Sequence, residues 1–189
     1  MATVVIPFAG AAGKTRLHES AEVRRLLAVA MFEDVLAACR PVGPVRVVAP
    51  DEDVLEDALD VELIPDPGTG QGAAVAAALE GVEGPVTIVN ADVPCVVPAD
   101  IRLLAGTAPA LVAAADGTTN ALSLPSVDLF APLYGPGSAE RFHDQCGAVS
   151  MALPNLADDV DTMDDLIRLQ LRVGPRTLVA LDRVQRGAA

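Results

Sequence analysis

Five short apolar runs constrain the fold most. They are "TVVIP" (3–7), "VRVVA" (45–49), "VELI" (61–64), "VTIVN" (86–90) and "ALVAAA" (110–115). Most are rich in β-branched residues, and several lack polar alternation, as strands covered on both faces do. Helical patterns fall between them. Val23, Leu26, Leu27, Ala30 and Met31 share one apolar face, continued by Val35 and Ala38, and Pro41 with Gly43 ends that helix. "DEDVLEDALD" (51–60) reads as a shorter helix whose early acids suit the helix dipole. "GAAVAAALEG" (72–81) and "PADIRLLAG" (98–106) read as two more. This alternation predicts an α/β fold, a mostly parallel sheet with right-handed crossovers and helices on its faces.

After residue 115 the pattern changes. "NALSLP" (120–125) reads as a strand, "VDLFAPLYGPGS" (127–138) as a loop, "AERFHDQCG" (139–147) as a short helix and "AVSMALP" (148–154) as a strand. "TMDDLIRLQLR" (162–172) reads as a helix starting at Thr162, which forms a capping-box pair with Asp165. "TLVALDRVQRG" (177–187) is a final helix. No repeat, linker or low-complexity block interrupts the 189 residues, so a single domain over 1–189 is expected.

A net charge of −13 argues against a nucleic-acid partner and against anionic membranes. No tryptophan is present, so stacking platforms for bases are scarce too. The cysteines, Cys39, Cys95 and Cys146, form no CxxC pair, and two histidines do not complete a typical zinc site. Free thiols and a cytoplasmic location are expected. Pro7 and the glycines after it break the N-terminal apolar run, so it does not read as a signal peptide or a membrane span. To bind a polyanion, so acidic a chain must concentrate its cations or recruit a divalent metal.

Ligands of open α/β sheets bind beyond the carboxyl ends of strands, which directs attention to residues 9–16, 66–72, 90–94 and 116–120. The first of these loops holds Ala9, Gly10, Gly13, Lys14, Thr15 and Arg16, and Lys14 is the chain's one lysine. A Walker A loop would need glycine at position 8, where Phe8 stands, so the strict motif fails. What remains is a small-residue loop that lets backbone N–H groups approach phosphates, with Lys14 and Arg16 supplying charge. A surface turn with a stray lysine is the weaker alternative. Gly68, Gly70, Gln71 and Gly72 form a second glycine-rich loop, open to close backbone approach or to plain helix capping. Asp92, between a buried strand and Pro94, is placed either to ligate a divalent metal or to make an Asp turn. Asp159 and Asp161 are two apart, so in extended chain they point the same way and a cation relieves their repulsion; a solvated acidic turn competes with that reading.

These pieces come in a fixed order: Lys-Thr-Arg-Leu, a glycine-rich loop, Ala-Asp-x-Pro, Gly-Thr-x-Asn, Tyr-Gly-x-Gly-Ser with a following His, and Asp-x-Asp-Thr-x-x-Asp-Leu. The series resembles the 2-phospho-L-lactate / phosphoenolpyruvate guanylyltransferases of deazaflavin coenzyme F-420 biosynthesis, from Ile6 to about Leu166. The resemblance implies a nucleotide-diphospho-sugar transferase (GT-A-like, Rossmann-like) fold. It implies a nucleotide-binding half over about 1–115 and an acceptor- and metal-binding half over about 116–175. Lys14 and Arg16 would hold the GTP phosphates, and the Gly68–Gly72 loop would lie by the guanine. Asp92, Asp159 and Asp161 would bind Mg²⁺. Thr118, Thr119, Asn120, Gly135 and Ser138 would cradle the phosphate of a small phosphorylated acid. Three features depart from the family pattern. Gln71-Gly72 stands where relatives carry Leu-Asn, the first loop is one residue shorter, and Gly-Thr-Thr-Asn replaces Gly-Gly-Thr-Asn.

The expected reaction is GMP transfer from GTP, with pyrophosphate released. Rival readings are another nucleotidyltransferase of this fold (molybdopterin, sugar or cytidylyl type), a P-loop-like NTPase or kinase, and a non-catalytic nucleotide-binding protein. A homodimer is allowed by the sequence and not required by it.

Overall fold

The computed structural model describes residues 1–10, 14–50 and 61–187. The helix expected over 51–60 and the loop residue Gly13 lie outside the described residues. Seven strands form one sheet: β1 (Thr3–Pro7), β2 (Val45–Ala49), β3 (Glu62–Pro65), β4 (Val86–Val89), β5 (Ala110–Ala113), β6 (Thr119–Leu124) and β7 (Val149–Ser150). Their order across the sheet is β3-β2-β1-β4-β6-β5-β7. The pairs β3–β2, β2–β1, β1–β4 and β5–β7 are parallel, and β6 runs antiparallel to both its neighbours. The sheet is therefore mixed and mostly parallel, as expected.

The helices are α1 (Ala21–Cys39), α2 (Gln71–Leu79), α3 (Pro98–Gly106), α4 (Ser138–Cys146), α5 (Pro154–Ala157), α6 (Met163–Leu169) and α7 (Pro175–Gly187). On one face of the sheet, Phe32 and Val35 of α1, Ile101 and Leu104 of α3 and Leu156 of α5 pack over Val4, Ile6 and Val47. On the other, Val75 and Ala78 of α2 and Phe142 of α4 pack over Val5, Ile88 and Leu122. The central strands are thus covered twice, and Val86–Val89 is buried throughout. That double coverage is why these strands read as unbroken apolar runs. A third cluster joins Leu27 and Met31 of α1 to Leu166 and Leu169 of α6 and Leu181 of α7.

Three elements differ from the sequence reading. Residues 148–154 contribute a strand of only Val149–Ser150, followed by the unforeseen one-turn helix α5. The loop over 127–138 holds a 3-10 turn at Val127–Leu129. Pro154 sits in the first turn of α5, where its missing N–H costs nothing and its fixed φ favours helix over strand.

Two polar features inside the sheet are locally satisfied. Thr87 and Ser123 hydroxyls, both buried, bond each other at 3.0 Å across β4 and β6. Thr119 and Ser138 hydroxyls do the same at 2.9 Å, which fixes the start of α4 against β6.

Candidate active site

Loops after β1, β3 and β4 surround one cavity of about 400 Å³. Ala9, Gly10 and Lys14 enter it from the first loop, Asp66, Gly68, Gly70 and Gln71 from the second, and Asn90 and Asp92 from the third. Asp161 closes it from the segment before α6. Gly68 and Gly70 adopt φ of 72° and 104°, a region that β-carbons disfavour, so the second loop depends on glycine at both positions. Asp66 stabilises the first of these turns by accepting from the Gly68 N–H at 2.8 Å.

The floor of the site is acidic. Ligand oxygens of Asp92, Asp159 and Asp161 all lie within 4.8 Å of one another. Asp159 and Asp161 reach this point together because two-residue spacing in extended backbone puts them on one side. Asp158, one residue before Asp159 and so out of phase with that pair, instead bonds Arg168 at 3.0 Å and Arg172 at 2.6 Å. Asn120 donates from Nδ2 to Ala157 O at 3.2 Å and to Asp159 Oδ1 at 3.4 Å, tethering that carboxylate. Burial, and after it the charge of Asp92, pushes the Asp159 carboxyl above the ordinary aspartate range.

Lys14 lies inside this cluster. Its Nζ donates to Asp92 Oδ2 at 2.6 Å, to Val160 O at 2.6 Å and to Asp161 Oδ1 at 3.0 Å. Burial alone would pull the amine's pKa down, but the Asp92 and Asp161 carboxylates outweigh it and hold it above the ordinary lysine value. The group is therefore an ammonium. Arg16, largely exposed, pairs with the other oxygen of Asp161. Asp92 Oδ1 is buried and has no hydrogen-bond partner among the described residues. A buried orphan carboxylate oxygen is costly unless something positive meets it. Three oxygen donors around that orphan suit a hard divalent cation, so the donor set fits one.

The amide chain at the base of the second loop has a fixed polarity. Asn90 Nδ2 donates to the Thr119 carbonyl at 3.2 Å, and a carbonyl can only accept. Asn90 Oδ1 therefore faces Gln71, whose Nε2 donates to it at 2.7 Å. The other end of the Gln71 amide, Oε1, is left as an acceptor at an exposed position on the cavity wall.

The remaining expected residues are placed elsewhere. Thr15 is exposed in a turn, and Gly72 sits beneath Pro132 rather than on the cavity wall. Thr118, Thr119, Asn120, Gly135 and Ser138 do not line the cavity. Thr118 bonds Asp116 through N–H and hydroxyl at 2.9 and 2.7 Å, while Thr119 and Ser138 satisfy each other as described. Asn90 and Asp66 were missed as individual site residues. Their signal was position, since each directly follows a strand.

A family model described as "Guanylyl transferase CofC like" matches residues 2–149. A phosphoenolpyruvate guanylyltransferase of Streptomyces scabiei is 37% identical, with 96% of each chain covered. Its namesake in Streptomyces coelicolor is 35% identical, again over 96% of each chain. The chain belongs to the CofC-like guanylyltransferase family. Among solved structures, a Methanothermobacter nucleotidyl transferase superposes with a TM-score of 0.65 at 19% identity, covering 91% of this chain and 96% of that one. That likeness speaks to the fold, which is the nucleotide-diphospho-sugar transferase type the sequence suggested.

Within the family frame, glycine at position 72 has a local cause. A β-carbon there would lie 2.8 Å from Pro132 Cβ and 3.0 Å from Pro132 O. The preceding residue, Gln71, carries the amide that reaches the cavity. No helix of the described residues is long and apolar enough to cross a membrane.

Proposed function

We propose that this protein transfers GMP from GTP to the phosphate of phosphoenolpyruvate, releasing pyrophosphate, as a step in coenzyme F-420 biosynthesis. The observation that carries the reading is the convergence of two glycine-containing loops, Lys14, Asp92 and Asp161 on one cavity. The names of the relatives favour phosphoenolpyruvate over 2-phospho-L-lactate as acceptor.

An oxygen of the acceptor phosphate attacks the α-phosphorus of GTP. The bond from that phosphorus to the bridging oxygen breaks, and pyrophosphate leaves with the electron pair. The attacking oxygen is already ionised at neutral pH, so no protein group need remove a proton. Catalysis then rests on positioning and on charge neutralisation. Asp92, Asp159 and Asp161 would hold Mg²⁺, which supplies Lewis-acid neutralisation of phosphate charge when bound. Lys14 and Arg16 are the cations nearest these acids, and they neutralise the leaving pyrophosphate. Backbone at Gly68 and Gly70 allows a flat base to lie close, with the Gln71 amide at its edge. On this reading the acceptor phosphate approaches from the Asn120 side of the acids, where Asn120 tethers Asp159.

The test is product analysis by mass spectrometry after incubation with GTP, Mg²⁺ and, separately, phosphoenolpyruvate, 2-phospho-L-lactate and 3-phosphoglycerate. The expected product is the guanylylated enolpyruvyl phosphate, with pyrophosphate in equal amount. Absence of any guanylylated acid overturns the reading.

A further inference from the structure

An ammonium has three N–H donors. At Lys14 all three have acceptors: Asp92 Oδ2, Asp161 Oδ1 and the Val160 carbonyl. None is left for a phosphate oxygen. The same ammonium bonds two of the three carboxylates that would hold a divalent cation. In this arrangement, then, Lys14 can neither serve an incoming triphosphate nor admit the metal to those two oxygens. The side chain is only 13% exposed, so solvent screens the contacts weakly.

We propose that Lys14 is a place-holder for the divalent cation, and that the two exchange. In the nucleotide-free protein the ammonium neutralises Asp92 and Asp161. When a metal–triphosphate complex arrives, the phosphates draw the ammonium away and the carboxylates turn to the metal. Asp92 and Asp161 thus always have a cation beside them, the ammonium before the exchange and the metal after it. Two consequences follow. The protein binds free divalent cation weakly, and triphosphate and metal each raise the other's affinity, because binding free energies are linked reciprocally. The identity of the triphosphate rests on the proposed function. The competition between Lys14 and metal does not.

The experiment uses the full chain and Mn²⁺ in place of Mg²⁺. Free Mn²⁺ is read by electron paramagnetic resonance, without nucleotide, for wild type and Lys14→Met, with circular dichroism confirming the fold of each. Lys14→Met should bind Mn²⁺ at least about tenfold more tightly, the effect of relieving some 1.4 kcal/mol of competition. Equal or weaker binding by the variant overturns the proposal. A second measurement needs only the wild type. Lys14 is the one lysine in the sequence, so amine acylation read by mass spectrometry reports on it alone besides the N-terminus. Saturating Mg²⁺ without nucleotide should speed acylation of Lys14 several-fold by releasing it from the acids, and an unchanged rate overturns the exchange. Adding a non-hydrolysable GTP analogue to wild type should tighten Mn²⁺ binding. If it does not while both nucleotide-free arms succeed, the competition stands and the guanine-nucleotide reading fails.

Discussion

Lys14 and Asp92 lie 78 positions apart in sequence, and their Nζ and Oδ2 atoms meet at 2.6 Å. The contact joins the loop after β1 to the loop after β4, and it leaves Asp92 Oδ1 buried with no partner among the described residues. Asp92→Asn keeps the shape but replaces an anionic oxygen with an amide. Its turnover, followed as pyrophosphate release with GTP, Mg²⁺ and phosphoenolpyruvate, should fall at least about a hundredfold, since Lewis-acid neutralisation is worth several kcal/mol and each ~1.4 kcal/mol is a factor of ten. The melting temperature should change little by comparison. Near wild-type turnover would remove Asp92 from the ligand set.

Asp159 sets a pH dependence. Burial first, then Asp92, raises its pKa in the folded state. A carboxyl with a raised folded pKa favours the folded state below the unfolded aspartate pKa of about 3.9, and that contribution is lost as pH rises through the folded value. At neutral pH, in metal-free protein, the ionised group is therefore a burden. Asp159→Asn should raise the melting temperature in EDTA by a few degrees at pH 7, with the gain vanishing near pH 3. The same variant should bind Mn²⁺ poorly. In the wild type, metal affinity should begin to fall at a higher pH than an ordinary aspartate would dictate. A melting temperature that falls at pH 7 would contradict the assignment of strain to this carboxylate.

The strands and most helices were legible because local rules fix them. Val86–Val89 is buried on both faces and reads as an apolar run, and α6 carries its capping box in Thr162 and Asp165. The grouping of Asp159 with Asp161, and not with Asp158, follows from the period of two in extended chain. The reversed direction of β6 was not legible. Nothing within "NALSLP" states that β6 runs against β4 and β5, because direction is decided by partners distant in sequence. The immediate partners of Lys14 were hidden for the same reason. The small-residue loop and the family resemblance pointed the lysine at phosphate, and nothing in either revealed its contacts with Asp92, Val160 and Asp161.

Gln71 tests the base pocket. Its amide direction is set by a relay from the Thr119 carbonyl through Asn90, leaving Oε1 as an acceptor able to take an N–H of a base. Gln71→Leu removes that acceptor and strands Asn90 Oδ1. An unmet polar group of this kind costs about 1–3 kcal/mol, so the KM for GTP should rise roughly five- to a hundredfold with kcat less affected. Steady-state kinetics with GTP and ATP should also show a narrower preference between them. An unchanged KM would place the base elsewhere in the cavity.

Asp34 and Gly174 form the last joint that matters for the site, because α7 packs on α1, whose Ala28 and Met31 line the cavity. The Asp34 carboxylate accepts from Arg176 N–H at 3.1 Å and Thr177 N–H at 2.8 Å, meeting free amides in the first turn of α7. A β-carbon at Gly174 would fall 2.2 Å from the Asp34 Cγ, so only glycine fits beside that carboxylate. Asp34→Ala deletes a charged cap at a site only 6% exposed and should cost about 1–3 kcal/mol, a fall in melting temperature of roughly 2–12 °C. Gly174→Ala should be as damaging, since it forces the two helices apart. Adding Gly174→Ala to Asp34→Ala should cost less than the two separate losses combined, because the first change opens the space that the second needs. Thermal melts of the two single variants and the double variant measure that coupling directly, and simple additivity would refute the packing argument. Turnover per folded molecule at 25 °C should stay near wild type in Asp34→Ala, which separates this joint from the chemistry above it.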